Sequence, residues 1–591
     1  MSARASVIAV GAVSPLGHGE RAFDVTALGV AAPVAVRRDP DLEARGFLRP
    51  FCARVDDACV APAADRAEGL LGAAVRGLLA DLGATFRDGR ARVGLVLGTS
   101  SGGMRSAERY FEARASGAEP PAGVAEAATY FAPFVAAHTE IERAGLRVVR
   151  SLQIVNACAA STWALGVGLS WLRREAVDLV LAGGYDALGP FVAAGFECLR
   201  ATGASPSSPF RLGRDGMALG EGAAVVALVR EGFERGTAAR FLVSGFGASS
   251  DAIHITAPDR TGGGLARAAR AAIADAEIDP GHIALVSAHA TATPYNDAME
   301  SRAIRAALGE SDPVVHPMKA QIGHTLGAAG VLETLAAGHA LGRGVAPAAA
   351  GVGPIDPDAP ARLLLERPGE RAGRVAPRAT RSVFLKGFAA VKSADAAAVS
   401  AESGVAVDKL LRIDELSLLC ATAVARLGKS RIAGGGIVLG HALATIDINE
   451  RFYARILARG PTGAEPRVFP PTSPNLMPGQ IAILFGLEGP SAATARGPGG
   501  GLDPLALAAE IVAAGAADRM VACAVDLLGP ASRDQLARCF PDATDVADGA
   551  VAALLDAEPS GALAVIDLDV PARGFGHLAL AEHLASIGVS A

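Results

Sequence analysis

Cys158 sits in the run Asn156-Ala157-Cys158-Ala159-Ala160-Ser161-Thr162. Residues 152–156 read as a strand leading in, and 159–172 as an Ala/Leu-rich helix leading out. A thiol at that junction lies at a helix N-terminus, where the dipole and free N–H groups favour a thiolate and can hold an oxyanion. On its own the residue also reads as a small buried core cysteine, the commoner fate of an unpaired thiol. Three further side chains shift the balance. His289 follows a buried apolar run in Val286-Ser287-Ala288-His289-Ala290-Thr291-Ala292-Thr293. Lys319 and His324 stand five apart in Met318-Lys319-Ala320-Gln321-Ile322-Gly323-His324, ahead of a helix that carries Glu333. A nucleophile, two imidazoles and a cation, all at strand-to-helix junctions, are what thioester chemistry requires.

The elements that must position them are short. Runs such as 93–97, 179–182 and 224–229 are apolar on both faces and alternate with Ala-rich helical stretches, the pattern of strands buried between helix layers. The class is α/β with several layers. The chain of 591 residues is long enough for three or four units, and its 51% hydrophobic content excludes general disorder. A formal net charge of −6, with both signs mixed, leaves no basic stripe for nucleic acid or an anionic membrane. Lysine is rare, with only residues 319, 386, 392, 409 and 429, so a lysine beside a histidine is notable. Seven cysteines without a CxxC pair argue for reduced thiols and a cytoplasmic enzyme. No Cys/His spacing suggests a metal site, and no EF-hand or phosphate-loop pattern appears. The N-terminal apolar run is short and ends in the turn Ser14-Pro15-Leu16-Gly17, unlike a secretion signal. The uncharged run 151–172 is long enough to span a bilayer, but Gln153, Asn156, Ser161 and Thr162 favour a buried strand and helix.

An internal repeat sets the organisation. Val93-Gly94-Leu95-Val96-Leu97-Gly98 recurs as Gly435-Gly436-Ile437-Val438-Leu439-Gly440, and Glu108-Arg109-Tyr110-Phe111 as Glu450-Arg451-Phe452-Tyr453. Val177-Asp178-Leu179-Val180 matches Ala517-Asp518-Arg519-Met520, and Gly222-Ala223-Ala224-Val225 matches Gly549-Ala550-Val551-Ala552. The last third of the chain is a second copy of the first 235 or so residues, and nothing matching 240–395 is expected after it. The boundary reads near 395–405. The Pro/Gly/Arg-rich stretch 354–377 reads as a surface loop or short strand of the first unit.

These motifs together resemble the β-ketoacyl-acyl carrier protein synthases, the condensing enzymes of fatty acid and polyketide synthesis, over residues 5 to about 395. The resemblance rests on Val13-Ser14-Pro15-Leu16-Gly17, Cys158, Arg214-Asp215-Gly216 through Glu221-Gly222, Ser249-Ser250-Asp251, His289 to Thr293, Asn296-Asp297, and Lys319 to His324 with Gly327-Ala328-Ala329-Gly330. It implies a thiolase-like αβαβα fold of two halves, 1–235 and 236–398, with a further partial thiolase-like half at 399–591. It implies that Cys158 takes an acyl chain from a phosphopantetheine arm, and that His289 and His324 promote malonyl decarboxylation and hold the enolate oxygen. It implies that Lys319 pairs with Glu333 and orients the histidines, and that Thr291 and Thr293 contact pantetheine. Phe388 would be the gating aromatic, with its N–H joining that of Cys158 in the oxyanion hole. The family's second Gly in His-Gly-Thr-Gly/Ser-Thr is Ala292 here and its first is Ala290. Gly387-Phe388-Ala389-Ala390-Val391-Lys392 stands for Gly-Phe-Gly-Gly-Thr-Asn, and Arg211 replaces the usual Asp.

In the second copy Pro498 falls where Cys158 stands, so this copy has no nucleophile. It resembles the chain-length factors that pair with ketosynthases. The implied activity is decarboxylative Claisen condensation on acyl carrier protein substrates, the 4'-phosphopantetheine arriving on the carrier and no cofactor being bound. The chain would be a homodimer or an intramolecular pseudo-dimer, the half-domain shaping the acyl tunnel or merely covering an apolar interface. A malonyl decarboxylase or acyltransferase on the same scaffold, and a non-catalytic carrier-protein scaffold, are the alternatives.

Overall fold

The computed structural model describes residues 4–25, 34–345, 347, 349–360, 381–443, 445–543, 546–566 and 576–587. Of the 354–377 stretch, 361–377 lie outside these residues.

The first unit builds five main strands, Ala5–Ser14, Arg92–Gly98, Arg147–Ile154, Leu179–Asp186 and Gly222–Arg230. Arg92–Gly98, Arg147–Ile154 and Leu179–Asp186 are parallel neighbours, and Gly222–Arg230 and then Ala5–Ser14 join antiparallel at the outer side. The second unit repeats this with Phe384–Val391, Gly436–His441, Ser491–Ala495, Arg519–Asp526 and Gly549–Asp556. Read outward from the middle, the order is the same in both. Arg147–Ile154 matches Ser491–Ala495, then Arg92–Gly98 matches Gly436–His441, and so on to the short end strands Phe241–Val243 and Ala564–Val565. The two halves meet where Ile154 pairs antiparallel with Thr494 and the Val155 N–H donates to the Ala493 carbonyl at 2.9 Å, so one sheet runs through both units.

Near-continuous apolar strands need cover on both faces. In the first unit Arg66–Leu82 and Ala132–Arg143 cover one face; Ala160–Arg173 and Ala329–Arg343 cover the other. Beneath that second helix layer lies a parallel pair, Leu285–Ser287 with Val314–His316, backed by Gly263–Ala276 and Pro294–Leu308. This is the expected αβαβα layering, with the lower sheet reduced to two strands among the described residues. In the second unit Glu415–Ala425 and Leu476–Phe485 cover one face, and Asp503–Ala513 and Gly576–Ser586 the other. The inner helices of both units share one apolar core, in which Trp163, Val167, Leu505, Ala508 and Leu580 are all buried. Among the described residues no helix is long and apolar enough to cross a membrane; residues 151–172 fold as strand, turn and helix.

Two expectations need correction. The boundary at 398/399 is misplaced, because Phe384–Val391 is the first strand of the second unit. Val13 lies opposite Ala223, and Val391 lies opposite Ala550, its repeat partner. Both strands carry a bulge at the same place, at Ile8 and at Lys386. Such a matched irregularity identifies corresponding strands. The second correction concerns the tail. The second copy does not end at its N-terminal-half elements, since Ala564–Val565 and Gly576–Ser586 occupy the places that Phe241–Val243 and Ala329–Arg343 hold in the first unit. Leu580 and Leu584 on that last helix are fully buried.

Candidate active site

Cys158 stands in a tight turn, Ala157–Ala159, between the strand Arg147–Ile154 and the helix Ala160–Arg173. Ala157 is left-handed at φ +46°, a strained state for a residue with a Cβ that lifts the next side chain out of the sheet. His324 is set by the strand ahead of Gly222. Its N–H donates to the Ala218 carbonyl at 2.8 Å, and its carbonyl accepts from Gly220 at 2.9 Å. Gly323 is required there, because at φ +70° a Cβ would lie 2.4 Å from the Leu219 carbonyl oxygen. His289 follows Leu285–Ser287, and its N–H and that of Ala290 donate to the buried Glu300 carboxylate at 2.6 and 2.8 Å.

These three junctions converge. His324 Nε2 lies 2.8 Å from Cys158 Sγ. The His289 ring stands edge-on to His324, with centroids 5.3 Å apart, and a ligand atom of each of the three residues lies within 4.8 Å of the others. The Leu326 N–H donates to His324 Nδ1 at 3.3 Å, which puts the proton of the neutral ring on Nε2, facing the sulfur. Lys319, only 1% exposed, forms an ion pair of 2.5 Å with Glu333. Thr291 and Thr293 share a hydroxyl hydrogen bond of 2.9 Å. Ala290 and Ala292 keep the left-handed backbone, at φ +46° and +58°, that glycine would adopt without strain.

Burial dominates the electrostatics. It pushes the Cys158 thiol up to about 11, against the pull of the Lys319 ammonium. The helix N-terminus was expected to favour the thiolate; burial works against it and favours the neutral thiol. Burial, and then Lys319, hold His289 well below the usual imidazole range; His324 is held down by the same two causes and by His289. Burial raises Glu333 against Lys319, and raises Glu300 to about 7. The resting site is thus a neutral thiol beside two neutral imidazoles, with a cation behind them.

Phe388 does not belong here. Its strand lies five strand spacings from Arg147–Ile154, about 24 Å away. The loop expected to carry a second oxyanion N–H is instead a ladder strand of the other unit, in which Ala389 and Ala390 face Ala552 and Val551.

Asp186 was not singled out from the sequence. It ends the strand Leu179–Asp186 and accepts hydrogen bonds from Thr99 Oγ1, the Ser100 and Ser101 N–H groups, Ser101 Oγ and the Gly327 N–H, at 2.6–2.9 Å. It thereby ties the loop after Arg92–Gly98 to the turn after His324. The repeat held the signal: its counterpart Asp526 accepts from the Ala442 N–H at 3.0 Å and from the His577 N–H at 2.7 Å.

Family models agree with this architecture. The beta-ketoacyl synthase N-terminal domain matches 55–232 and again 433–549; the C-terminal domain matches 240–352, ending well before Phe388. A 3-oxoacyl-[acyl-carrier-protein] synthase 2 of Coxiella burnetii is 30% identical over 270 residues, 43% of this chain and 64% of that protein. Nodulation protein E of Rhizobium meliloti is 36% identical over 230 residues, 38% of this chain and 56% of that one. The chain thus spans less than two thirds of the length of these curated relatives. Among solved structures, the ishigamide ketosynthase/chain length factor is 27% identical with TM-score 0.54, covering 61% of this chain and 92% of that one. PfaC keto synthase-chain length factor aligns with TM-score 0.72 over 94% of this chain and 78% of that one; at 18% identity it supports the fold alone. With the N-terminal model matched twice around a single C-terminal one, the chain belongs to the β-ketoacyl synthase family.

Proposed function

We propose that the chain catalyses decarboxylative Claisen condensation between an acyl group on Cys158 and a malonyl-acyl carrier protein, in polyketide or fatty-acid-type synthesis. The observation that carries this reading is the convergence of Cys158, His289 and His324 in front of the Lys319–Glu333 pair. Cys158 attacks the incoming thioester, and its proton ends on the departing pantetheine sulfur. Malonyl carrier protein then loses CO2, and the electron pair moves to the thioester oxygen as an enolate. Nε2–H donors stabilise that oxygen, and a buried neutral imidazole donates without carrying a charge of its own. The enolate carbon attacks the Cys158 thioester, and the sulfur leaves as a thiolate that takes one proton from solvent. Burial, and then Lys319 held by Glu333, keep both rings neutral by opposing their protonation. Thr291 and Thr293 are the hydroxyls assigned to the pantetheine arm. No cofactor beyond the carrier's 4'-phosphopantetheine is required.

We place the second unit in the position of a pseudo-partner. Val155 and Leu326, which flank Cys158 and His324, belong to one apolar cluster with Phe191, Phe452, Tyr453 and Phe469. Phe452 and Phe469 come from the second unit and pack edge-on and tilted against Phe191 of the first, with centroids at 5.0 and 6.5 Å. This aromatic plug supports a role in limiting chain length over a purely structural one. Acidic carrier proteins are the assigned macromolecular partners, and seven free cysteines are consistent with a cytoplasmic enzyme. The test is product analysis with acyl and malonyl carrier proteins. The wild type forms a β-ketoacyl carrier protein two carbons longer, and Phe452→Ala shifts the products to greater length. Unchanged length in Phe452→Ala would reduce the second unit to cover.

A further inference from the structure

We propose that Cys158, His289 and His324 form a three-ligand site for a thiophilic divalent cation, Zn2+ above all, which occupies the place of the acyl group. The ligands come from three junctions, 131 and 35 residues apart in the sequence. That separation is why no spacing motif reveals them. One sulfur and two imidazole nitrogens within 4.8 Å of one another make a compact N2S set. A tetrahedral zinc, with Zn–S about 2.3 Å and Zn–N about 2.0–2.1 Å, needs its ligand atoms roughly 3.3–3.7 Å apart. His324 Nε2 must therefore draw back from its 2.8 Å contact with Sγ, while His289 closes in. Both are rotamer-scale adjustments. Three protein ligands leave the fourth position open, as in catalytic rather than structural zinc sites.

Two carboxylates behind the sulfur also suit a cation. The buried carboxylates of Asp186 and Glu333 both act on the Cys158 sulfur, and Glu333 neutralises Lys319. Glu300 anchors the backbone of His289. Two costs oppose binding: the residual field of Lys319, and the proton on His324 Nε2. That proton must move to Nδ1, at the expense of the long Leu326 contact. Binding converts the thiol to a thiolate and releases one proton to solvent, with no redox change. Because thioester formation uses the same sulfur, metal and acyl group exclude each other.

The site rests on the geometry of the three side chains, whether or not the condensing reaction is as proposed, and its test does not use activity. Co2+ is titrated into the purified full-length chain as a spectroscopic stand-in for Zn2+. The expected result is intense tetrahedral d–d absorption with a thiolate-to-cobalt charge-transfer band, release of one proton, and loss of both bands on adding Zn2+. Cys158→Ala, and wild type alkylated with iodoacetamide, lose the charge-transfer band; His289→Gln loses the tetrahedral pattern. Weak six-coordinate bands alone, or bands that survive both Cys158→Ala and alkylation, would mean surface binding and overturn the proposal.

Discussion

Ala157 and Gly497 hold the same left-handed backbone, at φ +46° and +70°, one residue ahead of Cys158 and Pro498. The second unit has kept the turn and lost the nucleophile. It relaxed the strain by using glycine, whereas the first unit retains alanine at the catalytic turn. Arg496, just before that glycine, is turned into the junction. It pairs with Asp503 at 2.7 Å and donates to Ser151 Oγ of the first unit at 3.0 Å. The residues of the former elbow now serve the contact between units.

Strain at the working site should be measurable. Left-handed alanine costs about 1–2 kcal/mol, and glycine returns about 0.4–1 kcal/mol of that through the unfolded chain. Ala157→Gly and Ala292→Gly are each expected to raise stability by about 0.5 kcal/mol, read as an upward shift of the calorimetric midpoint. A downward shift would mean that these methyl groups pack favourably enough to outweigh the strain.

Lys319 and Glu333 should behave as a unit. Lys319→Met strands a buried carboxylate and is expected to cost about 3–5 kcal/mol. Lys319→Met combined with Glu333→Leu should recover most of that in urea denaturation, without recovering condensation. If the double variant is as unstable as the sum of the singles, the pair is not coupled.

His441 ends the strand Gly436–His441, is 1% exposed, and has hydrogen-bond partners on neither ring nitrogen. Burial pushes it down to about 4. In the unfolded chain it titrates near 6.5, so between pH 6.5 and 4 the unfolded state binds the extra proton and the folded state loses stability as pH falls. At pH 5 that loss is about 2 kcal/mol. His441→Gln should therefore lose about 2 kcal/mol less than wild type between pH 7 and pH 5 in urea titrations. Parallel pH profiles for the two proteins would contradict this.

Glu510 of the second unit is the clamp at the junction. It accepts from Arg150 at 2.8 Å, from Arg174, and from Ser170 at 3.3 Å, all in the first unit. Glu510→Ala takes this carboxylate from two half-buried guanidinium groups, and a loss of about 1–3 kcal/mol is expected. The shared core predicts one unfolding transition for the wild type, which should split into two in the variant, one per unit. A single unshifted transition would show that the apolar contacts alone hold the units together.

Much of this molecule was legible in its sequence. The layered class followed from apolar runs too short to be helices. The repeat showed because Glu450-Arg451-Phe452-Tyr453 keeps its distance from the preceding glycine. The four central side chains were legible because each stands at a strand-to-helix junction. Phe388 was misread because Gly-Phe-Ala-Ala suits the closing strand of one unit as well as the opening strand of the next. Only ladder pairing, with its bulge at Lys386, separates the two. The tail helix Gly576–Ser586 was missed because few residues link it to the preceding strands, so its role is tertiary rather than periodic. The resting state of Cys158 was misjudged because desolvation depends on what covers the helix N-terminus, and here that cover is His324 and the turn after it.

Every step proposed for this site depends on Cys158 accepting the acyl chain. The most direct test is intact-mass measurement of the full-length protein after incubation with acyl carrier proteins of several chain lengths, beside Cys158→Ala. One acyl mass is expected on the wild type and none on the variant, with the adduct discharged when malonyl carrier protein is added. An unmodified wild type with every donor, or an adduct that persists in Cys158→Ala, would contradict it.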